Sequence, residues 1–369
     1  MMQKSTSLSV PVLIVSLFLL TINHSPALAH EVAIPSHQID ITPNIESASP
    51  KTKALLKTLA ETMFTSKILS GQNVGSANYL LQQNYEASVI ELQQETGKIP
   101  AIFSVDYAWE VALDDYTQTN TILERHLNAG GIVTVSMHPG NPFLGGGLYT
   151  KGTGDYTFDD LFKPGTKPYI FWQTVLVKVA DGLEKLQQNH TVLWRPLHEM
   201  NGAWFWWGGG DADQITHAEF KKLWLSIYTY FESRKLDNLL WVYSPNSHHD
   251  EGSTIDVLTL YPGDQYVDVV ALDYYSDTFS LLNKNGSVDK LLSLNKPFGF
   301  AEFGQQSRSR MNNYDALNFL KNKFPQTGFV IYWHTNTDNF WPVPRSIIDN
   351  KKAKEFMNDP RVITLAELQ

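Results

Sequence analysis

The chain contains no cysteine. That excludes disulfides, thiolate metal sites, a cysteine nucleophile and a lipid anchor through a modified amino-terminal cysteine. Basic residues are in deficit, with 29 Lys and Arg against 38 Asp and Glu and a net charge of −9. No long basic run offsets this, which argues against nucleic acid as a partner. Several chemistry-bearing patterns are also missing. There is no Gly-x-Gly-x-x-Gly after the first strand candidate, no phosphate-binding Gly-x4-Gly-Lys-Ser/Thr and no Gly-x-Ser-x-Gly elbow. His198-Glu199 begins a zinc-like His-Glu-x-x-His, but the fifth position is Gly202, so the second ligand is absent.

Only one stretch is strongly apolar, Leu8 to Leu20, preceded by Lys4 and followed by Ala27-Leu28-Ala29. This is the layout of a secretory signal peptide cleaved after Ala29. The run falls short of the roughly 20 residues of a membrane span. The expectation is a signal peptide over 1–29, an irregular lead-in over 30–50 and a single domain over 51–369. The mature protein would be extracellular or periplasmic, without a membrane anchor. About 340 residues remain after cleavage, enough to build a core without disulfide staples. Of the ten Trp, 16 Tyr and 19 Phe, some must be core. Several lie beside Gly, Asn and His in loop-like text, where they suit stacking on sugar faces.

Eight near-continuous apolar runs read as strands buried on both faces: 68–71, 99–105, 132–137, 192–197, 239–243, 267–272, 298–301 and 329–333. Between them lie amphipathic segments such as 51–64, 79–96, 169–188, 220–234 and 314–324. Eightfold strand-helix alternation predicts an α/β fold, a single (β/α)8 barrel with its site at the carboxyl ends of the strands. An open doubly wound sheet is the runner-up. Polar or aromatic residues close six of the runs: Asp106, His138, His198-Glu199, Asp273 with Tyr275, Glu302, and Trp333-His334.

Glu199 stands among Trp204, Phe205, Trp206 and Trp207, and apolar surroundings raise a carboxyl pKa, as a general acid requires. Pairing with Arg195 as a purely structural carboxylate is the alternative. Pro196, read as lying inside the fourth strand, suggests a distortion that re-aims the residues after it. Glu302 closes the seventh strand between Phe and Gly, where a charge needs a partner. The ends of strands four and seven face each other across a barrel mouth. Two carboxylates there, roughly 5 to 5.5 Å apart, make a retaining glycosidase pair. His248-His249-Asp250 reads as a turn or cleft rim, and Asp211 and Asp213 as the start of the helix after strand four, with Asp213 as N-cap.

The segment Trp194-Arg195-Pro196-Leu197-His198-Glu199-Met200-Asn201-Gly202-Ala203-Trp204-Phe205-Trp206-Trp207-Gly208 resembles the acid/base motif of glycoside hydrolase family 26, most of whose members are endo-β-1,4-mannanases. Ser136-Met137-His138-Pro139-Gly140-Asn141-Pro142, the stretch from Tyr261 to Tyr275, and Gly299-Phe300-Ala301-Glu302-Phe303-Gly304 are similar to its other motifs. The resemblance implies Glu199 as acid/base and Glu302 as nucleophile. It implies substrate-site roles for His138, Arg195, His198, Asn201, Trp204, Tyr275 and Trp333. Tyr275 would orient Glu302, Arg195 would support it electrostatically, and Asp273 would be a nearby polar group. Many family mannanases carry Arg after the eighth-strand Trp, where this chain has His334. No metal or cofactor is implied. The expected substrate is β-mannan, glucomannan or galactomannan, or a manno-oligosaccharide, cleaved by a monomer. β-1,3-Xylan or mixed-linkage β-glucan on the same machinery is the alternative, and a non-catalytic sugar-binding barrel a distant one.

Overall fold

The computed structural model describes residues 39–77, 80–211, 214–247, 254–335 and 343–368. The signal peptide, residues 30–38, Asp213 and His248-His249-Asp250 lie outside them. Eight parallel strands form one sheet: β1 (Ile68–Ser76), β2 (Ile102–Ala112), β3 (Ile132–Pro139), β4 (Val192–Arg195), β5 (Leu239–Tyr243), β6 (Val269–Tyr275), β7 (Phe298–Gly304) and β8 (Phe329–Tyr332). Each pairs with its sequence neighbour, and β1 pairs with both β2 and β8, so the sheet closes on itself. A short β9 (Val362–Ile363) adds to β1. This is the expected (β/α)8 barrel.

Apolar side chains at alternate strand positions, Leu240 with Val242, Val269 with Ala271 and Phe329 with Ile331, form one core cluster with Leu56 and Leu59. Residues two apart share a face of a strand. The two leucines belong to α1 (Pro50–Thr62), which Ser49 caps by accepting from the Thr52 amide. Close packing demands glycine at Gly299, where a Cβ would lie 2.4 Å from the Phe329 ring. The lead-in is tied down from residue 39 onward. Ile39, Ile45 and Ala48 are buried, and the Asn44 amide donates to Asp268.

The remaining helices are α2 (Leu81–Tyr85) joined through a π-turn at Glu86–Ile90 to α3 (Glu91–Thr96), then α4 (Thr117–Asn128), α5 (Lys167–Gln187), α6 (His217–Ser233), α7 (Ser287–Leu292), α8 (Asn313–Lys323) and α9 (Ala353–Met357). The helix after strand four begins later than expected. Thr216 caps it in a reciprocal box with Glu219, and Asp211 instead pairs with Lys151 at 2.9 Å.

Two strands differ from their sequence outlines in ways that shape the site. β4 stops at Arg195, because Pro196 cannot continue the ladder. Leu197 and Glu199 then take left-handed backbone conformations, φ 48° and 51°. β2 runs on past Asp106 to Ala112, with a register shift between Asp106 and Trp109. The shift sets Trp109 opposite His138. Among the described residues no helix is long and apolar enough to cross a membrane.

Candidate active site

The carboxyl ends of β2, β3, β4, β6 and β7 deliver one buried polar cluster. On the β2–β3 side, Asp106 accepts from the Ser136 hydroxyl at 2.9 Å and from His138 Nδ1 at 2.6 Å. With Nδ1 donating to Asp106, His138 turns its Nε2 away from that carboxylate. His198 Nε2 lies 2.7 Å from that atom and 3.4 Å from Glu302 Oε1. Burial, the Arg195 cation and His138 push the His198 pKa well below the ordinary value, so it serves as a neutral ring.

Glu302 is held on both oxygens. Arg195 Nη2 donates to Oε1 at 2.5 Å and Tyr275 Oη donates to Oε2 at 2.7 Å. Arg195 also reaches Asp273 at 3.0 Å, and Ser244 donates to that aspartate's other oxygen at 2.6 Å. Burial works against the arginine's charge, and Asp273 and Glu302 more than restore it. Burial and the charge of Glu302 keep the Tyr275 phenol protonated and therefore a donor. The Arg345 guanidinium lies 4.7 Å from the centre of its ring.

Glu199 has a different environment. Its donors are neutral: Asn246 Nδ2 to Oε1 and Trp204 Nε1 to Oε2, both at 2.8 Å. Burial and the charge of Glu302 raise its pKa to about 7, against those two hydrogen bonds. Carboxylate oxygens of Glu199, Asp273 and Glu302 lie within 4.8 Å of one another. One carboxylate gripped by a cation therefore faces another kept near its point of protonation. The alternative in which Glu199 pairs with Arg195 is excluded by where that guanidinium points. The left-handed turn at Glu199 costs about 1–3 kcal/mol, as held backbone strain at working sites does.

The cluster includes two sets of three possible metal-ligating atoms, His138 with His198 and Glu302, and Glu199 with Asp273 and Glu302. Arg195 lies between Asp273 and Glu302 and supplies the positive charge there. A model of glycosyl hydrolase family 26 matches residues 42–367.

The chain belongs to glycosyl hydrolase family 26.

As a family 26 glycoside hydrolase it is similar to mannan endo-1,4-β-mannosidase A and B of Caldalkalibacillus mannanilyticus, 38% identical over 288 residues, 74% of this chain. That relative is longer, and the match spans 53% of it. A mannan endo-1,4-β-mannosidase of Bacillus subtilis is 35% identical over 325 residues, 84% of each chain. A solved mannanase of Bacillus subtilis superposes with a TM-score of 0.75 at 31% identity, over 88% of this chain and 96% of that one.

The family 26 motifs bring His138, His198, Trp204, Tyr275 and the two glutamates together. Trp333 stands beside them, its ring 6.4 Å from that of His138. Two further residues of the implied substrate site lie behind it. Arg195 and Asn201 are both fully buried and reach the cleft only through partners. Asn201 accepts from the Asn246 amide at 2.7 Å and donates to the Asn246 carbonyl at 3.0 Å, which fixes the residue that donates to Glu199. Asn246 itself was missed, because the end of the fifth strand carries a Ser-Pro-Asn that reads as a plain turn. Trp109 was missed too. It is 40% exposed, 4.5 Å from the His138 ring, and three residues beyond Asp106. Tyr149, 61% exposed and stacked on Phe205 at 5.7 Å, gives no local signal beyond its glycine-rich surroundings.

Proposed function

We propose that this chain is an exported endo-β-1,4-mannanase that hydrolyses mannan, glucomannan or galactomannan by double displacement, with retention of anomeric configuration. The observation that carries the reading is the unequal carboxylate pair. Glu302, between Arg195 and Tyr275, is the nucleophile. Two donors, one of them cationic, grip its oxygens and aim it. Glu199, with its pKa raised to about 7, is the acid that protonates the leaving oxygen.

In the first step a Glu302 oxygen bonds to the anomeric carbon as the glycosidic bond breaks, and the Glu199 proton goes to the departing oxygen. In the second step Glu199, now ionised, takes a proton from water as that water displaces Glu302. Carboxylate oxygens of the two lie within 4.8 Å of one another, close enough for a retaining pair, whose carboxyl groups stand roughly 5–5.5 Å apart. His138, Trp204 and Trp333 are the sugar contacts. Residues 1–29 direct export, and amino-terminal sequencing of the exported protein is expected to begin at His30.

The test is a panel of soluble galactomannan, glucomannan, β-1,3-xylan and barley β-glucan. Proton NMR follows the first-formed reducing end. Cleavage of the mannans with the β-anomer appearing first is expected. Preferred cleavage of xylan or β-glucan would overturn the substrate. First appearance of the α-anomer would overturn retention.

A further inference from the structure

Tyr275 has a second neighbour besides Glu302. The Arg345 guanidinium, carried on the segment after β8, lies over its ring, 4.7 Å from the centre. Tyr275 of β6 is paired in register with Gly304 of β7. A Cβ at Gly304 would lie 3.1 Å from Arg345 Cγ and 3.3 Å from Tyr275 Cε1, so a side chain there would crowd both. Glycine at that point lets the arginine stem and the phenol ring close on each other.

The arginine is tied down at several points. Its backbone N–H donates to the Thr335 hydroxyl at 2.9 Å, and its carbonyl accepts from Asn350 Nδ2 at 3.3 Å. Its Nε donates to the Gln305 carbonyl at 3.0 Å. Gln305 is buried in turn, and its amide nitrogen donates to the Ser309 carbonyl at 2.7 Å and to Asn350 Oδ1 at 3.0 Å. These bonds hold the guanidinium over the phenol while the hydroxyl of the same ring reaches Glu302. A cation over an aromatic face is attracted by the ring's electrons. It draws charge from the phenol, opposing burial and the charge of Glu302, which together hold the phenol's pKa high. An O–H polarised by a nearby cation donates more strongly to a carboxylate.

We propose that Arg345 is a positioning residue: through the Tyr275 ring it aims and strengthens the hydroxyl's bond to Glu302, and so speeds the chemical step without touching the sugar. The proposal rests on the reading of Glu302 as the nucleophile of a mannan hydrolase. Acting through the hydroxyl, Arg345 has nothing to act on once Tyr275 is replaced by phenylalanine. A residue needed only for packing would keep its effect in that background, because phenylalanine retains the ring.

The experiment is a double-mutant cycle on soluble glucomannan, with Arg345→Met, Tyr275→Phe and the two combined. Arg345→Met keeps an apolar stem and removes the cation. Its kcat is expected to fall roughly two- to tenfold, the worth of one cation–π contact, with KM little changed. In the Tyr275→Phe background the same substitution is expected to leave kcat where it was. Arg345→Lys, which restores a cation, is expected to recover part of the loss. Wild-type kcat in Arg345→Met would overturn the proposal, as would an equal loss in both backgrounds. A raised KM with kcat unchanged would make Arg345 a substrate contact and overturn it too. Circular dichroism checks that each variant folds, and Arg345→Gln replaces Arg345→Met in the cycle if the latter does not. A wild type that cleaves no mannan would overturn the mannanase reading and this proposal with it.

Discussion

Replacing Tyr275 by Phe removes one oxygen from a site whose other contacts stay in place. That oxygen donates to Glu302 Oε2 at 2.7 Å, while Arg195 Nη2 and His198 Nε2 lie at 2.5 and 3.4 Å from Oε1. Among the described residues Tyr275 is the one donor to Oε2, so the substitution would leave that oxygen without a directing group. A hydrogen bond to a charged acceptor is worth about 1.5–3 kcal/mol. If its loss is felt in the transition state, kcat falls on the order of tenfold to a hundredfold. KM should change little, because the phenol acts through the carboxylate. Tyr274 is the control. Its ring is fully buried and its hydroxyl donates to the Thr278 carbonyl, away from both glutamates. Tyr274→Phe should lower the melting temperature and spare kcat. Steady-state kinetics on a soluble mannan, with thermal melts of both variants, separates the two. Wild-type kcat in Tyr275→Phe, or a larger kcat loss in Tyr274→Phe, would refute the placement of the nucleophile's partner.

Glu199→Ala should abolish polysaccharide hydrolysis far more than hydrolysis of an aryl glycoside with a good leaving group, and azide should restore turnover of the latter. Equal loss on both substrates without rescue would remove Glu199 from the acid role. The acid must be protonated, so kcat/KM should fall as pH rises through about 7. Asn246→Ala removes a donor that favours the charged form, so that alkaline limb should move to higher pH, and a shift the other way would contradict the assignment. His126, buried and stacked on Phe103 at 3.6 Å, has its pKa lowered to about 4. The unfolded chain therefore binds a proton that the folded one refuses. Stability should decline as pH falls from about 6.5 toward 4, by about 3 kcal/mol from this residue. Urea melts at stepped pH check this, with His126→Phe expected to flatten that decline.

The barrel was legible because β3, β5 and β7 are buried along their whole length, and their runs are apolar up to the polar residues that close them, with only Thr134 and Ser136 interrupting β3. α4 shows why other parts were not. Half of its buried positions are Thr119, Asn120 and His126, so its inner face carries little hydrophobic signal. The two glutamates were legible as charges closing apolar strands. The partners of Arg195 were legible only in part: the nearest carboxylate in sequence is Glu199, the family resemblance implied Glu302, and the fold turns the guanidinium to both Asp273 and Glu302, 78 and 107 residues away. Pro196 was read as a distortion inside a strand. It ends the strand, and the two left-handed residues after it turn Glu199 toward Asn246 and Trp204. Trp109 reached the cleft through a register shift that no local pattern announces.

The double-displacement mechanism stands or falls on a covalent bond between Glu302 and the sugar. An activated 2-deoxy-2-fluoro-β-manno-oligosaccharide makes the first displacement feasible and the second slow, so the glycosyl-enzyme accumulates. Peptide mass spectrometry of the inactivated protein then locates the sugar. One adduct is expected, on the peptide containing Glu302, released when an acceptor sugar is added. An adduct on Glu199 or Asp273, or full turnover of the reagent with no adduct, would contradict the mechanism.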